Sequence, residues 1–257
     1  MRILVTNDDG INALGIRVLA QTLAKEHEVT VIAPDVERSG VSHSLTFYNT
    51  LKYGRAGFPG GIEAYHVFGT PSDCVKFGFG HILKTRPDLV VSGINRGGNL
   101  GTDIMYSGTV AAALEAVYLG VQAIAISASS YSEGNESHYK AAADYLLKDL
   151  GRLLAFKLPY GTLFNINVPP ETVRGFKGVK FTPAGVQEYD DEYYPDEKEE
   201  GSYRLRGKPV HHGRNPADCD IEWIKQGYIT VTPVFYDMTN YKFLAEIAKN
   251  FKVKSKR

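Results

Sequence analysis

Neither sign of charge predominates in this 257-residue chain. Its 29 Lys and Arg balance 29 Asp and Glu, for a formal net charge of zero. The strongly basic profile that binds nucleic-acid polymers or anionic membranes through bulk electrostatics is therefore absent. Cysteine is scarce. Cys74 and Cys219 form no C-x-x-C, so neither a disulfide framework nor a zinc knuckle is expected. No run of about 18 uncharged apolar residues occurs, so no membrane-spanning helix is expected. Met1-Arg2 leads through Ile3-Leu4-Val5 straight into polar Thr6-Asn7-Asp8-Asp9, too short an apolar stretch for a signal peptide. The expectation is a soluble, cytoplasmic protein.

Several catalytic signatures are also missing. There is no G-x-x-x-x-G-K-[ST], which excludes a P-loop nucleotide hydrolase. No G-x-G-x-x-G follows the first strand, so a dinucleotide site is unsupported. No G-x-S-x-G elbow occurs, which argues against a serine hydrolase. A phosphorylated receiver domain also carries acids after its first strand. Here, however, the fifth strand ends in Ser127-Ala128-Ser129 without the required lysine, and the chain is too long.

With 43% hydrophobic residues, the chain can bury a large core without covalent staples. Its first half alternates short apolar runs with helical patterns. Strands are expected at 3–5, 29–33, 64–68, 89–92 and 123–127. They are rich in Val and Ile without strict polar alternation, as in parallel strands buried on both faces. Helices are expected near 13–26, 71–84, 109–119 and 137–150. Thr70-Pro71-Ser72-Asp73 marks the second sharply, with an N-cap Thr, Pro at the first position and an acid three residues on. This alternation predicts an α/β fold, a three-layer doubly wound and mostly parallel sheet of Rossmann-like type.

Further strands are expected at 163–168, 178–182 and 229–233. Between the last two lies an acidic, tyrosine-dotted stretch from Glu188 to Glu200, followed by the basic Arg204, Arg206, Lys208 and Arg214. Two readings are open: a solvated mobile loop, or a projecting β-hairpin arm whose tyrosines pack on a partner subunit. A terminal helix over 239–251 places Tyr241, Leu244, Ile247, Ala248 and Phe251 on one face, suited to docking on a core or a second chain. Lys252 to Arg257 reads as a frayed, solubilising tail. The expected organisation is a catalytic core over 1–182, an arm and returning strand over 183–235 that serves oligomerisation, and a C-terminal helix with basic tail over 236–257.

In open α/β sheets ligands bind beyond the carboxyl ends of the strands. Strand one there exits into Asp8 and Asp9, strand two into a loop holding Ser39, and strand four into Asn95. Two adjacent carboxylates, a hydroxyl and a carboxamide thus converge on one edge. They are all oxygen donors, which suits Mg²⁺ or Mn²⁺ better than zinc. An Asp before a helix commonly just caps it. A pair buried together repels, however, and a bound cation resolves that repulsion. Five glycines fall between Gly93 and Gly108, and the segment feeds the helix starting at Thr109. Its backbone N–H groups around Gly97, Gly98 and Asn99, and around Ser107, Gly108 and Thr109, can cradle a phosphate. His211 and His212 stand away from this edge and are not expected to bind zinc.

Several ordered motifs together resemble the SurE (stationary-phase survival protein) family of nucleotidases. They are Asn7-Asp8-Asp9-Gly10, Ala33-Pro34-Asp35 through Arg38-Ser39-Gly40, Gly69-Thr70-Pro71-Ser72-Asp73-Cys74, Ser92-Gly93-Ile94-Asn95-Arg96-Gly97 and Tyr106-Ser107-Gly108-Thr109-Val110-Ala111-Ala112. The likeness is dense to about residue 130. It continues more loosely through Phe164-Asn165-Ile166-Asn167-Val168-Pro169 and Thr230 to Pro233. The resemblance implies a metal-dependent phosphomonoesterase acting on nucleoside 5′- and 3′-monophosphates, with some members trimming short polyphosphate. It implies one Mg²⁺ or Mn²⁺ per subunit, held by Asp8, Asp9, Ser39 and Asn95, and a homodimer or homotetramer built through the C-terminal arm and helix. Asp8 or Asp9 would also orient or deprotonate water. The competing class is a sensor that binds nucleotide or phosphate without hydrolysis, but such a sensor does not need paired acids beside a water site. A scaffold held by its tyrosine-rich arm leaves the first half of the chain unexplained. Asp8→Asn and Asp9→Asn are each expected to reduce turnover sharply with the circular dichroism spectrum unchanged, and Ser39→Ala or Asn95→Ala to cost less. Wild-type rates in either acid variant would refute the assignment.

Overall fold

The computed structural model describes residues 1–129, 136–170, 175–196, 199–210 and 213–250. The expectations for His211, His212, Phe251 and the tail from Lys252 to Arg257 lie outside the described residues.

The main sheet has nine strands: β1 (Arg2–Thr6), β2 (Glu28–Pro34), β3 (Tyr53–Arg55), β4 (Glu63–Val67), β5 (Leu89–Arg96), β6 (Gln122–Ala128), β7 (Thr162–Val168), β8 (Val179–Phe181) and β11 (Ile229–Phe235). Their spatial order is β3-β4-β2-β1-β5-β6-β7-β11-β8. From β4 through β7 every neighbouring pair is parallel. β3 pairs antiparallel with β4, and β11 antiparallel with β7. The doubly wound, mostly parallel sheet read from the Val/Ile runs is thus present. The returning strand 229–235 is an interior member of this main sheet.

Successive strand residues feed opposite faces, as the two-residue pleat requires. Ile3, Val5, Leu89 and Val91 pack with helices α1 (Leu14–Leu23) and α4 (Glu136–Leu154). Leu4, Ile32 and Val90 pack on the other face with α2 (Pro71–Phe77) and α3 (Gly108–Tyr118). The central strands β1, β2 and β5 are buried on both sides, which is why their sequences lack polar alternation.

Two local expectations need correction. The helix expected over 71–84 stops at Phe77 and continues as a π turn over Gly78–Ile82. Gly78 and Gly80 lower helical propensity there by about 1 kcal/mol each relative to Ala. Edge strand β3 was not anticipated, because three residues centred on a glycine carry no period. No described helix is long and apolar enough to cross a membrane.

The acidic and basic runs of the second half form one two-stranded unit outside the main sheet, β9 (Glu188–Pro195) against β10 (Tyr203–Val210). Its register sets Asp190 opposite Lys208 and Glu192 opposite Arg206, so the two charge runs face one another across the ladder. The segment is thus a β-hairpin rather than a loop. α5 (Asp220–Lys225) precedes β11, and α6 (Tyr241–Asn250) follows it with Tyr241, Phe243, Leu244 and Ile247 exposed.

The predicted cap of α2 is formed in full. Thr70 Oγ1 accepts from the Asp73 amide at 3.1 Å, and Asp73 accepts from the Thr70 amide at 2.9 Å. Asp73 also accepts from the Thr46 amide and hydroxyl, at 3.0 and 2.7 Å. Thr70→Ala is expected to lower urea-unfolding stability by about 1 kcal/mol. Asp73→Ala is expected to cost more, because it also releases the loop at Thr46. Equal or negligible losses would contradict this.

Candidate functional site at the sheet switch point

The chain runs outward from β1 through β2 to β4, then returns to place β5 on the other side of β1. The strand order therefore reverses between β1 and β5, and the carboxyl ends of these two strands open the crevice that such folds use for ligands. Asp8 and Asp9 follow β1, and Asn95 is the penultimate residue of β5.

Three loops are fastened to the acid pair. The Arg38 amide donates to the Asp8 carbonyl at 2.7 Å, bringing the loop after β2, with Ser39, against the end of β1. The Arg96 amide donates to Asp9 Oδ2 at 3.2 Å, which brings Asn95 beside the second acid. A bulge shifts the β5 register between Ser92 and Asn95, as bulges do where a strand must re-aim a side chain. Gly93 sits in it at φ 145°, and a Cβ there would lie 2.3 Å from the Ile126 carbonyl oxygen.

The third fastening comes from α3. The Thr109 hydroxyl donates to Asp8 Oδ1, and the Thr109 amide also hydrogen-bonds this carboxylate. A Cβ on Gly108 would lie 2.8 Å from Asp8 Cβ and 3.0 Å from its Oδ2. Only glycine lets the positive end of the helix come this close to the acid. Ser107 caps the helix, its Oγ accepting from the Val110 amide at 3.1 Å.

Asp8 is buried and Asp9 half-buried. Burial pushes the Asp8 carboxyl above its ordinary range, against the lowering effect of Thr109. Burial, then the neighbouring charge of Asp8, pushes Asp9 up to about 6. Glu37 adds negative charge to both, and the Arg96 guanidinium stands 3.7 Å from Glu37. The site therefore holds more negative charge than its own cation offsets. Among the described residues no group of three or more His, Cys, Asp or Glu is arranged to hold a metal. A cation here would combine two carboxylates with neutral oxygens such as that of the Asn95 carboxamide, whose Nδ2 is held by the Gly97 carbonyl at 2.8 Å. That donor set fits a hard divalent ion.

Ser39, Gly97 and Asn99 are placed differently from the simple reading. Ser39 is exposed, and its hydroxyl donates to Glu37 Oε1 at 2.8 Å. The Gly97 amide donates to the Ala128 carbonyl at 2.9 Å, and the Asn99 amide to Asn167 Oδ1 at 2.8 Å. These two amides hold the loop in shape. Gly98 is half-buried beside Ser129. Sequence reasoning missed Glu37, Asn165 and Asn167. The last two had a signal, alternate Asn residues in an otherwise apolar strand.

Fold and site define a doubly wound α/β protein whose switch point carries an acid pair against a helix N-terminus. The family described as Survival protein SurE matches residues 3–191, and the chain belongs to that family. Among its relatives, 5′-nucleotidase SurE of Thermosipho melanesiensis is 40% identical over 260 residues, covering 100% of both chains. That of Thermoanaerobacter sp. (strain X514) is 40% identical over 248 residues, covering 95% of this chain and 96% of the relative. The crystal structure of the SurE protein from Aquifex aeolicus superposes with a TM-score of 0.82 at 35% identity, covering 97% of this chain and 99% of that one.

The raised Asp9 sets a pH signature for the metal-free protein. Protonated Asp9 favours the fold. That contribution is complete below the ordinary value of 3.8 and is lost as pH rises through about 6. In EDTA at pH 8, Asp9→Asn is expected to melt above wild type by on the order of 2–4 °C, the shift that 1 kcal/mol gives a chain of this size. The gap should narrow toward pH 5. A variant no more stable than wild type at pH 8 would contradict the burial argument.

Proposed function

We propose that this chain is a divalent-metal-dependent phosphomonoesterase that hydrolyses nucleoside 5′- and 3′-monophosphates to nucleoside and phosphate, with short polyphosphate as a further substrate. The observation that carries this reading is the abutment of Asp8 and the first turn of α3. It sets a cation-attracting acid pair directly beside an anion-attracting helix end. The curated relatives bear the name 5′-nucleotidase, which supports the nucleotide as substrate.

Asp8, Asp9, Ser39 and Asn95 would hold one Mg²⁺ or Mn²⁺ per subunit, Ser39 after its hydroxyl turns from Glu37. Such an ion supplies charge neutralisation at the phosphoryl group and a lowered pKa for water. The Gly108 amide and the positive end of α3 would face the phosphate oxygens and stabilise the charge that develops there. Asp8 is committed to Thr109 through Oδ1, so Asp9, the more accessible acid, is the better acceptor for the proton of the attacking water.

The same reading treats 1–182 as the catalytic core, 183–235 as the arm with its returning strand, and 236–257 as helix and tail. The arm and α6 would join copies into a homodimer or homotetramer. The exposed Tyr193 and Tyr203 of the hairpin, and the exposed Phe243, Leu244 and Ile247 of α6, support this.

Phosphate release from 5′-AMP, 3′-AMP, short polyphosphate and a generic aryl phosphate tests the reading, with Mg²⁺ or Mn²⁺ and then EDTA. Metal-dependent release that EDTA abolishes is expected, faster from the nucleotides than from the aryl ester. Nucleotide binding without release from any substrate would replace the enzyme by a sensor.

A further inference from the structure

β7 carries two carboxamides, Asn165 and Asn167, both at 0% exposure. Phe164, Ile166 and Val168 of the same strand pack into the apolar cluster of α1 and α4, so the two Asn side chains occupy the opposite face. Packing alone gives no reason for them, since buried amides cost free energy unless their hydrogen bonds are made. Those bonds converge on one residue, Asn99. Its amide donates to Asn167 Oδ1 at 2.8 Å. Its carbonyl accepts from Asn165 Nδ2 at 2.8 Å and from Asn167 Nδ2 at 3.0 Å. Its side-chain Nδ2 donates to Ser127 Oγ, on β6, at 2.8 Å.

Asn99 closes the short loop that begins at Asn95. Within that loop the Asn95 Nδ2 donates to the Gly97 carbonyl at 2.8 Å, and the Gly97 amide donates to the Ala128 carbonyl at 2.9 Å. The Asn95 carboxamide is thus oriented by Gly97, leaving its Oδ1 for another partner, and the loop carrying Gly97 is pinned at both ends to β6 and β7. We infer that Asn167, with Asn165 and Ser127, is a positioning residue for the site. It holds the Asn99 peptide and through the loop aims the Asn95 oxygen at the cation. None of the three touches the reacting atoms. The inference rests on the metal-dependent reading above. Groups that orient a metal ligand typically set affinity or activity by about 10–100-fold.

The test measures Mn²⁺ binding to the full chain by electron paramagnetic resonance, without substrate. Asn167→Leu replaces the carboxamide by an apolar group of similar size, and Ser127→Ala removes a single acceptor. Each is made in wild type and in an Asn95→Ala background. The expected result is about tenfold weaker Mn²⁺ binding for Asn167→Leu and a smaller loss in the same direction for Ser127→Ala. Neither should lose anything further when Asn95 is already truncated, because coupled residues are not additive. Equal losses in both backgrounds would make the network merely structural and overturn the inference. If Asn167→Leu does not fold, unchanged Mn²⁺ affinity in Ser127→Ala overturns it. If wild type binds no Mn²⁺, the metal reading itself fails and this inference with it. Normal wild-type binding with indifferent variants removes only the positioning role.

Discussion

Two carboxylates placed side by side at the end of β1, one of them buried, repel each other with too little positive charge around them. Much of the architecture near the switch point follows from accommodating their burial and, at Asp9, the neighbouring charge. The carbonyl of Asp8 anchors the loop after β2, the carboxylate of Asp9 anchors the end of β5, and the first turn of α3 gives its amide and hydroxyl to Asp8. Gly108 is needed because no Cβ fits between the helix and Asp8. The acids remain above their ordinary pKa range even so. Groups with this kind of perturbation, in a crevice, concentrate where proteins bind and react.

The loop beside the acid pair has its own fastenings farther along the sheet. The loop from Asn95 to Asn99 would be free to wander if its peptides faced water. Instead the Gly97 and Asn99 amides and the Asn99 carbonyl are taken up by β6 and β7 through buried polar contacts. Farther along, Asp220 accepts from the amides of Gly101 and Gly185 at 2.9 and 2.8 Å, tying the same segment to the base of the hairpin. A rigid frame of this sort keeps ligating oxygens in place before any ligand arrives, which is where preorganised electrostatics gains its effect.

Much of this was legible in the chain, for physical reasons that differ by element. The Val/Ile runs of β1, β2, β5 and β6 announced strands buried on both faces, and Thr70-Pro71-Ser72-Asp73 announced the start of α2 nearly to the residue. Facing runs of acid and base read equally well as loop or arm until their register paired Asp190 with Lys208. The acid pair stood out because sheet topology assigns ligands to strand ends. The direction of the loop amides was not legible. Glycine richness shows that backbone can approach a neighbour closely, but not where its N–H groups point. The acceptor for Asn99 lies in β7, 68 residues later. Ser39 illustrates the same limit, its hydroxyl engaged by Glu37 two residues before it.

The central claim is that one cation and one phosphate meet where Asp8 faces the N-terminus of α3. Its most direct test is a crystal structure of the full chain grown with Mn²⁺ and a nucleoside monophosphate, with anomalous scattering used to locate the metal. The account predicts a single strong anomalous peak per chain, ligated by Asp8, Asp9, Ser39 and Asn95, with the phosphate between it and Gly108. A metal bound elsewhere, or a phosphate seated away from the α3 N-terminus, would contradict it.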